Sequence, residues 1–453
     1  MPTCTWNLIF LSFNIKDEYI NKKENDGISI GIRKFEEDVY ASPFCKDVNI
    51  FKFEFISDSN RVEETSLGKY SSYRNKKGED GNNIFEELLK DNFFDSHKPE
   101  CFKEYFNSTI SNDTNQKYFI VFLAHSFGPG FFEIRSSTDF LKMQDLAWAF
   151  ENSFKKVDGF FALNCQMQSL ESNFALRNSV EFLIGSQQPL YPDTISYSDF
   201  LDSLIRDTKK QEGDFLFKLS NQMLFQKFVF NNHNTFNANT YSSYLTSSPF
   251  CLTITKPATS KLILAYLNIL FAYFYRDQID NQLNKKLKQF FRKDRVSEQA
   301  YKNLSIAILF CEDPSNSNLF NIIDANSFFN KLKEMFDYQN HHFLSRCVDL
   351  LLKYMNNLII CHLASGNSFQ EVKHGKIVSY FYPMGIGLFI VKNSSSHGRE
   401  TLNIFQSLLQ NKMEYYSNNL ESVIGDISST VTNGGSVDLI TRIKNTFFGR
   451  FRP

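Results

Sequence analysis

Through the first two hundred residues, apolar runs recur, separated by stretches of polar and helix-patterned sequence. The runs are TWNLIFLSF (5–13), VNIFKFEFI (48–56), YFIVFLA (118–124), GFFALN (159–164) and VEFLIG (180–185). Most are apolar at consecutive positions, as a strand reads when both its faces are covered. VNIFKFEFI alternates instead and predicts a strand with one face less covered. Helical patterns lie between the runs, at IFEELLKDNFF (84–94), PECFKEYFNSTI (99–110), DFLKMQDLAWAFENSF (139–154) and MQSLESNFALRNS (167–179). Strand alternating with helix predicts an α/β fold, a mostly parallel sheet flanked by helices.

Polar punctuation divides the chain. The segment 57–82 holds few apolar residues and predicts a surface loop, whereas 231–250, rich in Asn, Ser and Thr, predicts a linker. The expected division is therefore a core over 1–230 and a mostly helical accessory domain over 251–453. A late strand pair, 375–392, is expected in that second domain, GKIVSYFY and GIGLFIVK joined around Pro383. The run LILAYLNILFAYFY (262–275) is short for a membrane span and carries Asn268, Tyr266, Tyr273 and Tyr275, so it reads as a buried helix. The N-terminal MPTCTWNLIFLSF lacks a basic segment and a small-residue cleavage site and reads as a strand. A soluble, cytoplasmic protein is the expectation.

Composition narrows this. A chain of 453 residues fits two or three domains, and with 49 Phe and 20 Tyr aromatic packing should dominate the interior. A formal net charge of −1 gives no electrostatic case for nucleic acid or an anionic membrane as partner. The eight cysteines form no CxxC pairs, which excludes zinc-ribbon spacing and a small disulfide scaffold. The basic cluster Lys285, Lys286, Lys288, Arg292, Lys293 and Arg295 alternates with apolar residues and reads as a solvated helix face.

Sites in open α/β sheets form beyond the carboxyl ends of the strands. His125 follows YFIVFLA, and Cys165 follows GFFALN, with one helical pattern between them. A right-handed crossover would set those two strands side by side and bring both residues to one sheet edge. A histidine beside a thiol favours the thiolate, which attacks carbonyl carbon. A strand-terminal histidine or cysteine on its own is commonly structural. The two in register on consecutive strands point to catalysis.

In this order the residues resemble the clostripain family of cysteine peptidases, which share the caspase-like fold. The family's strand, His-Gly-rich turn, helix, strand and Asp-Ala-Cys-Leu-Met read here as YFIVFLAHSFGPGF, DFLKMQDLAWAF and VDGFFALNCQMQSLE. Its next strand, followed by Ser-Glu-Glu, is similar to VEFLIGSQQ; FNIIDANSFFNKLKE (320–334) and GIGLFIVK resemble later elements. The resemblance implies a caspase-like peptidase core over 1–230 and a cysteine endopeptidase working through a thioester. Cys165 would be the nucleophile and His125 the general base, with the backbone N–H groups of Ser126 and Cys165 as the oxyanion hole. Leu163, Gln187 and Gln188 would line the substrate pocket. It implies no organic cofactor, with calcium the one ion that family analogy suggests. The implied partners are a protein substrate and an activator or inhibitory partner. Regulated proteolysis and bacterial defence enter by analogy alone.

The chain departs from the family at its specificity positions. Leu163 stands where the family has an acid, and Gln187 and Gln188 replace the Glu pair. A Lys or Arg guest would be desolvated there without an ion-pair partner. The residue before the scissile bond (P1) is therefore expected to be uncharged, and self-cleavage at Lys142, Lys155 or Lys156 is not implied. Ser126 replaces the usual Gly after the histidine, ahead of Gly128 and Gly130. His397-Gly398 is a rival His-Gly pair with no cysteine after it, and His341-His342 and Cys361-His362 read as structural. Two alternatives stay open: an inactive scaffold of the same fold that binds protein, and a helical interaction protein without such a core.

Overall fold

The computed structural model describes residues 5–14, 27–41, 48–57, 67–77, 83–110, 116–126, 130–131, 141–163, 166–187, 197, 251–260, 263, 266, 320–338, 342–364, 369–373, 376–381 and 385–391. The chain divides into two compact units, one of residues 1–258 with 359–367 and one of 259–358 with 368–453.

The first unit is built on a nine-stranded sheet. Its strands in chain order are β1 (Thr5–Asn14), β2 (Asn49–Ser57), β3 (Leu67–Lys77), β4 (Asn83–Asp95), β5 (Gln116–Leu123), β8 (Val157–Leu163), β9 (Val180–Gly185), β10 (Cys251–Thr255) and β12 (Ile359–Ala364). The spatial order is β12-β10-β9-β8-β5-β1-β2-β3-β4. The block β9-β8-β5-β1-β2 is parallel throughout, and antiparallel strands extend it on both sides. A short pair, β6 (Gly130–Phe131) and β7 (Leu141–Lys142), lies apart from the main sheet.

Because side chains alternate along a strand, each central strand feeds two cores. From β1, Trp6, Leu8 and Phe10 enter one, and Ile9, Leu11 and Phe13 the other. The first core is covered by helix α1 (Gly27–Ala41), whose Phe35 stacks on Phe10 with ring centroids 3.9 Å apart. The second is covered by α2 (Pro99–Thr109), α3 (Met143–Glu151) and α4 (Leu170–Leu176). Covering on both faces accounts for the continuously apolar reading of β5, β8 and β9.

Several expectations are corrected here. Residues 84–94 are not helical: they form most of β4, paired with β3 over Asn83–Asp95. The supposed loop 57–82 holds β3, in which Tyr70 packs at 4.8 Å on Phe53 and Tyr73 lies over the Lys52 ammonium. Helix α1, which no expectation covered, supplies Ile28, Phe35 and Val39 to the core. Strands β10 and β12 fall in the stretch beyond residue 250, yet the main sheet takes them up.

In the second unit, α5 (Ala325–Tyr338) and α6 (His342–Leu358) pack through Phe328, Leu332, Phe336, Leu344, Val348 and Leu351. Asp324 caps α5 by accepting from the Ser327 N–H at 2.7 Å. Strand β11 (Phe320–Asp324) pairs with β15 (Gly387–Val391), and β13 (Phe369–Lys373) with β14 (Lys376–Phe381). The late stretch 375–392 thus contains two strands, but they do not pair with each other. The linker 231–250, the basic cluster 285–295 and the run 262–275, apart from Ile263 and Tyr266, lie outside the described residues. Among the described residues no helix is long and apolar enough to cross a membrane.

Candidate active site

Strands β5 and β8 are parallel neighbours, and their register pairs Phe119 with Gly159 and Leu123 with Leu163. Two side chains fix that register. A Cβ added at Gly159 would stand 2.4 Å from the buried Phe119 ring, so only glycine lets the ring lie across the neighbouring strand. One strand position earlier, the Asp158 carboxylate accepts the Tyr118 N–H at 2.9 Å. Burial pushes the Asp158 carboxyl above its ordinary range.

The register carries directly to the candidate residues. His125 stands two residues past Leu123, and Cys165 two residues past Leu163. His125 is exposed at the carboxyl end of β5, and the adjoining Ser126 forms an antiparallel bridge to Phe131. Cys165, Gly128 and Gln188 lie outside the described residues, while Gly130 opens β6. Leu163 is buried in the core cluster that holds Leu123, Phe161 and Ile184. Gln187 is fully buried just past the end of β9.

The segment after Cys165 is held by polar contacts that the sequence did not signal. Gln166 adopts a left-handed backbone, with φ of 59°. Gln168 donates from its backbone N–H to the Ser186 carbonyl at 2.9 Å and from Nε2 to Thr255 Oγ1 at 2.8 Å. Thr255 donates to Asn173 Oδ1 at 2.6 Å, and Asn173 Nδ2 donates to the Ser169 carbonyl at 2.7 Å. Ser169 also caps α4, its hydroxyl accepting the Ser172 N–H at 3.0 Å. The only trace of this in the sequence is the polar content of MQSLESNFALRNS, because Thr255 lies far along the chain.

An ion cluster lies at the amino ends of β8 and β9, the opposite end of these strands from the candidate site. Burial alone would raise the Glu181 carboxyl, but Lys156 and Lys256, both bonded to it, hold it below its usual range. Of the lysines between His125 and Cys165, Lys156 is in an ion pair and Lys155 is exposed. His362 pairs through Nδ1 with Thr253 Oγ1 at 2.9 Å, and burial raises the neighbouring Cys361 thiol. His342 is exposed at the start of α6; His341 and His397 lie outside the described residues. Among the described residues, no group of three or more His, Cys, Asp or Glu side chains could hold a metal ion. Cys101, Cys347 and Cys361 carry free thiols, and the Cys251 sulfur lies 3.6 Å from the Ser186 hydroxyl.

No protein-family model matches the chain, and no curated protein matches it. Solved structures do match. A secreted C11 cysteine protease from Bacteroides thetaiotaomicron, solved with an irreversible peptide inhibitor, aligns at a TM-score of 0.54 and 14% identity. The alignment covers 91% of this chain and 98% of that one. An inactive zymogen C11 protease from Parabacteroides distasonis aligns at a TM-score of 0.55 and 14% identity, over 92% of this chain and 99% of that one. The fold is therefore that of C11 cysteine proteases, in agreement with the clostripain-type resemblance and the α/β sheet expected from the sequence. The expected cytoplasmic location is corrected: the Bacteroides protein is described as secreted, which points away from the cytoplasm.

Proposed function

We propose that this protein is a cysteine endopeptidase with Cys165 as nucleophile and His125 as general base. The observation that carries the reading is the β5–β8 register. His125 and Cys165 each stand two residues beyond a paired leucine, at the carboxyl ends of adjacent parallel strands. That is where open α/β sheets build sites, and the fold is one that cysteine proteases use.

The chemistry follows from the two groups. His125 takes the thiol proton, and the Cys165 sulfur attacks the scissile carbonyl carbon, moving the carbonyl electron pair onto oxygen. Backbone N–H groups of Cys165 and Ser126 hold that oxyanion. Collapse re-forms the carbonyl and expels the amine, which leaves with the proton from the imidazolium. A water then gives a proton to His125, attacks the thioester and releases the carboxylic acid and the thiol.

The substrate is a peptide whose P1 residue is uncharged. Leu163 and Gln187, at two positions assigned to the pocket, are neutral and buried, and Gln188 adds no charge. A guanidinium or ammonium would lose hydration there without an ion-pair partner.

The test is a cleavage profile of the full chain against a diverse peptide library, beside Cys165→Ala and His125→Ala. Both variants should lose cleavage, Cys165→Ala completely and His125→Ala by about 10²- to 10⁴-fold. A peptidyl electrophile should label Cys165 ahead of the other cysteines. Cuts after Arg or Lys would overturn the neutral-pocket reading. No cleavage together with no labelling at Cys165 would leave a protein-binding scaffold of the same fold.

A further inference from the structure

The geometry points to Thr255 as a positioning residue for the nucleophile, acting through Gln168; this rests on the peptidase reading. Thr255 lies on β10, the strand that pairs with β9 from beyond residue 250. Its hydroxyl has one proton to give. Its nearest acceptor is Asn173 Oδ1 at 2.6 Å, with the Leu183 carbonyl farther off at 3.4 Å, so toward Gln168 Nε2, at 2.8 Å, the oxygen acts as acceptor. The direction of the whole relay is thereby fixed, from Gln168 through Thr255 and Asn173 to the Ser169 carbonyl. Gln168, Thr255 and Asn173 are each fully buried, so water cannot replace a missing member.

What the relay holds is the stretch that leaves Cys165. Gln168 is tied at its backbone to Ser186 and at its side chain to Thr255, three residues after the nucleophile. Between them stands Gln166, with φ of 59°, a conformation that L residues with side chains seldom take unless their surroundings impose it. Gly185 leaves room for this anchoring, since a Cβ there would lie 3.1 Å from Gln168 Oε1. A left-handed residue directly after the nucleophile in sequence, with a two-point anchor two residues later, fixes the course of residues 166–168. Thr255→Val keeps the shape of the side chain but removes its contacts to Gln168, Asn173 and the Leu183 carbonyl. The side-chain point of the anchor is then lost, while the backbone bond to Ser186 and the packing stay.

The experiment compares the full-length wild type with Thr255→Val and Thr255→Ser. It measures kcat and KM on a peptide from the cleavage profile, the pH dependence of Cys165 alkylation by iodoacetamide, and the thermal midpoint. Thr255→Val should lower kcat by about 100-fold, the scale of a misplaced catalytic group, with KM changed less than about threefold. Its alkylation profile should shift, and Thr255→Ser should recover both to within about threefold of wild type. A Thr255→Val protein with wild-type kcat and alkylation would overturn the inference, as would a Thr255→Ser protein no better than the valine. Should the valine variant unfold at assay temperature, Gln168→Met, which removes the donor at similar length, carries the same expectations. A wild type that shows no Cys165-dependent cleavage or labelling would overturn the peptidase reading and this inference with it. Normal wild-type behaviour beside an unaltered valine variant would overturn the inference alone.

Discussion

Strands β5 and β8, in the middle of the sheet, bury both faces: Phe119, Ile120, Val121, Phe122 and Phe160 are wholly removed from solvent. Strand β4, at one margin, leaves Phe93 69% and Leu88 41% exposed, and among its described side chains only the last two, Phe94 and Asp95, are buried. The middle is held by interdigitating rings, with Phe122 5.0 Å from Phe13 and 4.5 Å from Phe131. The margin is held by the antiparallel ladder to β3 and by surface pairs such as Lys76–Glu86 at 2.7 Å. Its ladder is interrupted by two register shifts, and Asp91 takes a φ of 51°. Such bulges twist an edge out of register and discourage a further strand from adding to it. One backbone pattern thus meets two requirements. In the middle each side chain has one place to go, and at the margin the side chains matter less than the irregularity of the strand.

The comparison can be broken or sharpened by substitution. Phe122→Ala should have the largest effect, costing about 3–5 kcal/mol in urea unfolding as ring contacts on both sides are lost; a loss under about 1 kcal/mol would deny the middle its close packing. Gly159→Ala should cost about 1–3 kcal/mol, because the new methyl meets the immobile Phe119 ring. Glu181→Gln probes the partly exposed ion cluster near the sheet end and should cost at most about 1 kcal/mol at neutral pH. The sign of its pH dependence is defined. The Glu181 carboxyl is depressed in the folded protein, so its contribution is present above the unfolded value of 4.5 and is lost as pH falls through the lower folded value. Unfolding midpoints measured across that range should show wild type converging on Glu181→Gln at low pH. Phe93→Ser should change stability by less than about 0.5 kcal/mol, and a larger loss would show that the margin is packed against something after all.

The same difference decides what could be read in the sequence. YFIVFLA and GFFALN announce strands because burial on both faces leaves no polar position within them, and His125 and Cys165 were legible because each follows such a run. IFEELLKDNFF reads as a helix because its apolar residues fall at 84, 85, 88, 89, 93 and 94. The two shifts in β4 reset the alternation within one strand, so no period of two survives for inspection. Strand β3 faces the Lys52 ammonium, which is bonded to Glu36 and Glu54, and its polar side chains made it resemble a loop. Helix α1 shows only a narrow apolar stripe, Ile28, Ile32, Phe35 and Val39. Thr255 gave no sign of its relation to Gln168, since a contact between residues so far apart in the chain has no periodicity to betray it.

Strand β12 sets the order in which the molecule can be completed. Cys251 pairs with Ala364, and everything between them must leave the ribosome before that pairing can form. Until then β10, which carries Thr255, has one neighbour in β9 and an open side, and long-range pairings of this kind close slowly. A nascent chain that has already made His125, Cys165 and the parallel strands is therefore still unfinished at the border beside them. Translation itself would delay the finished sheet until the segment after α6 arrives.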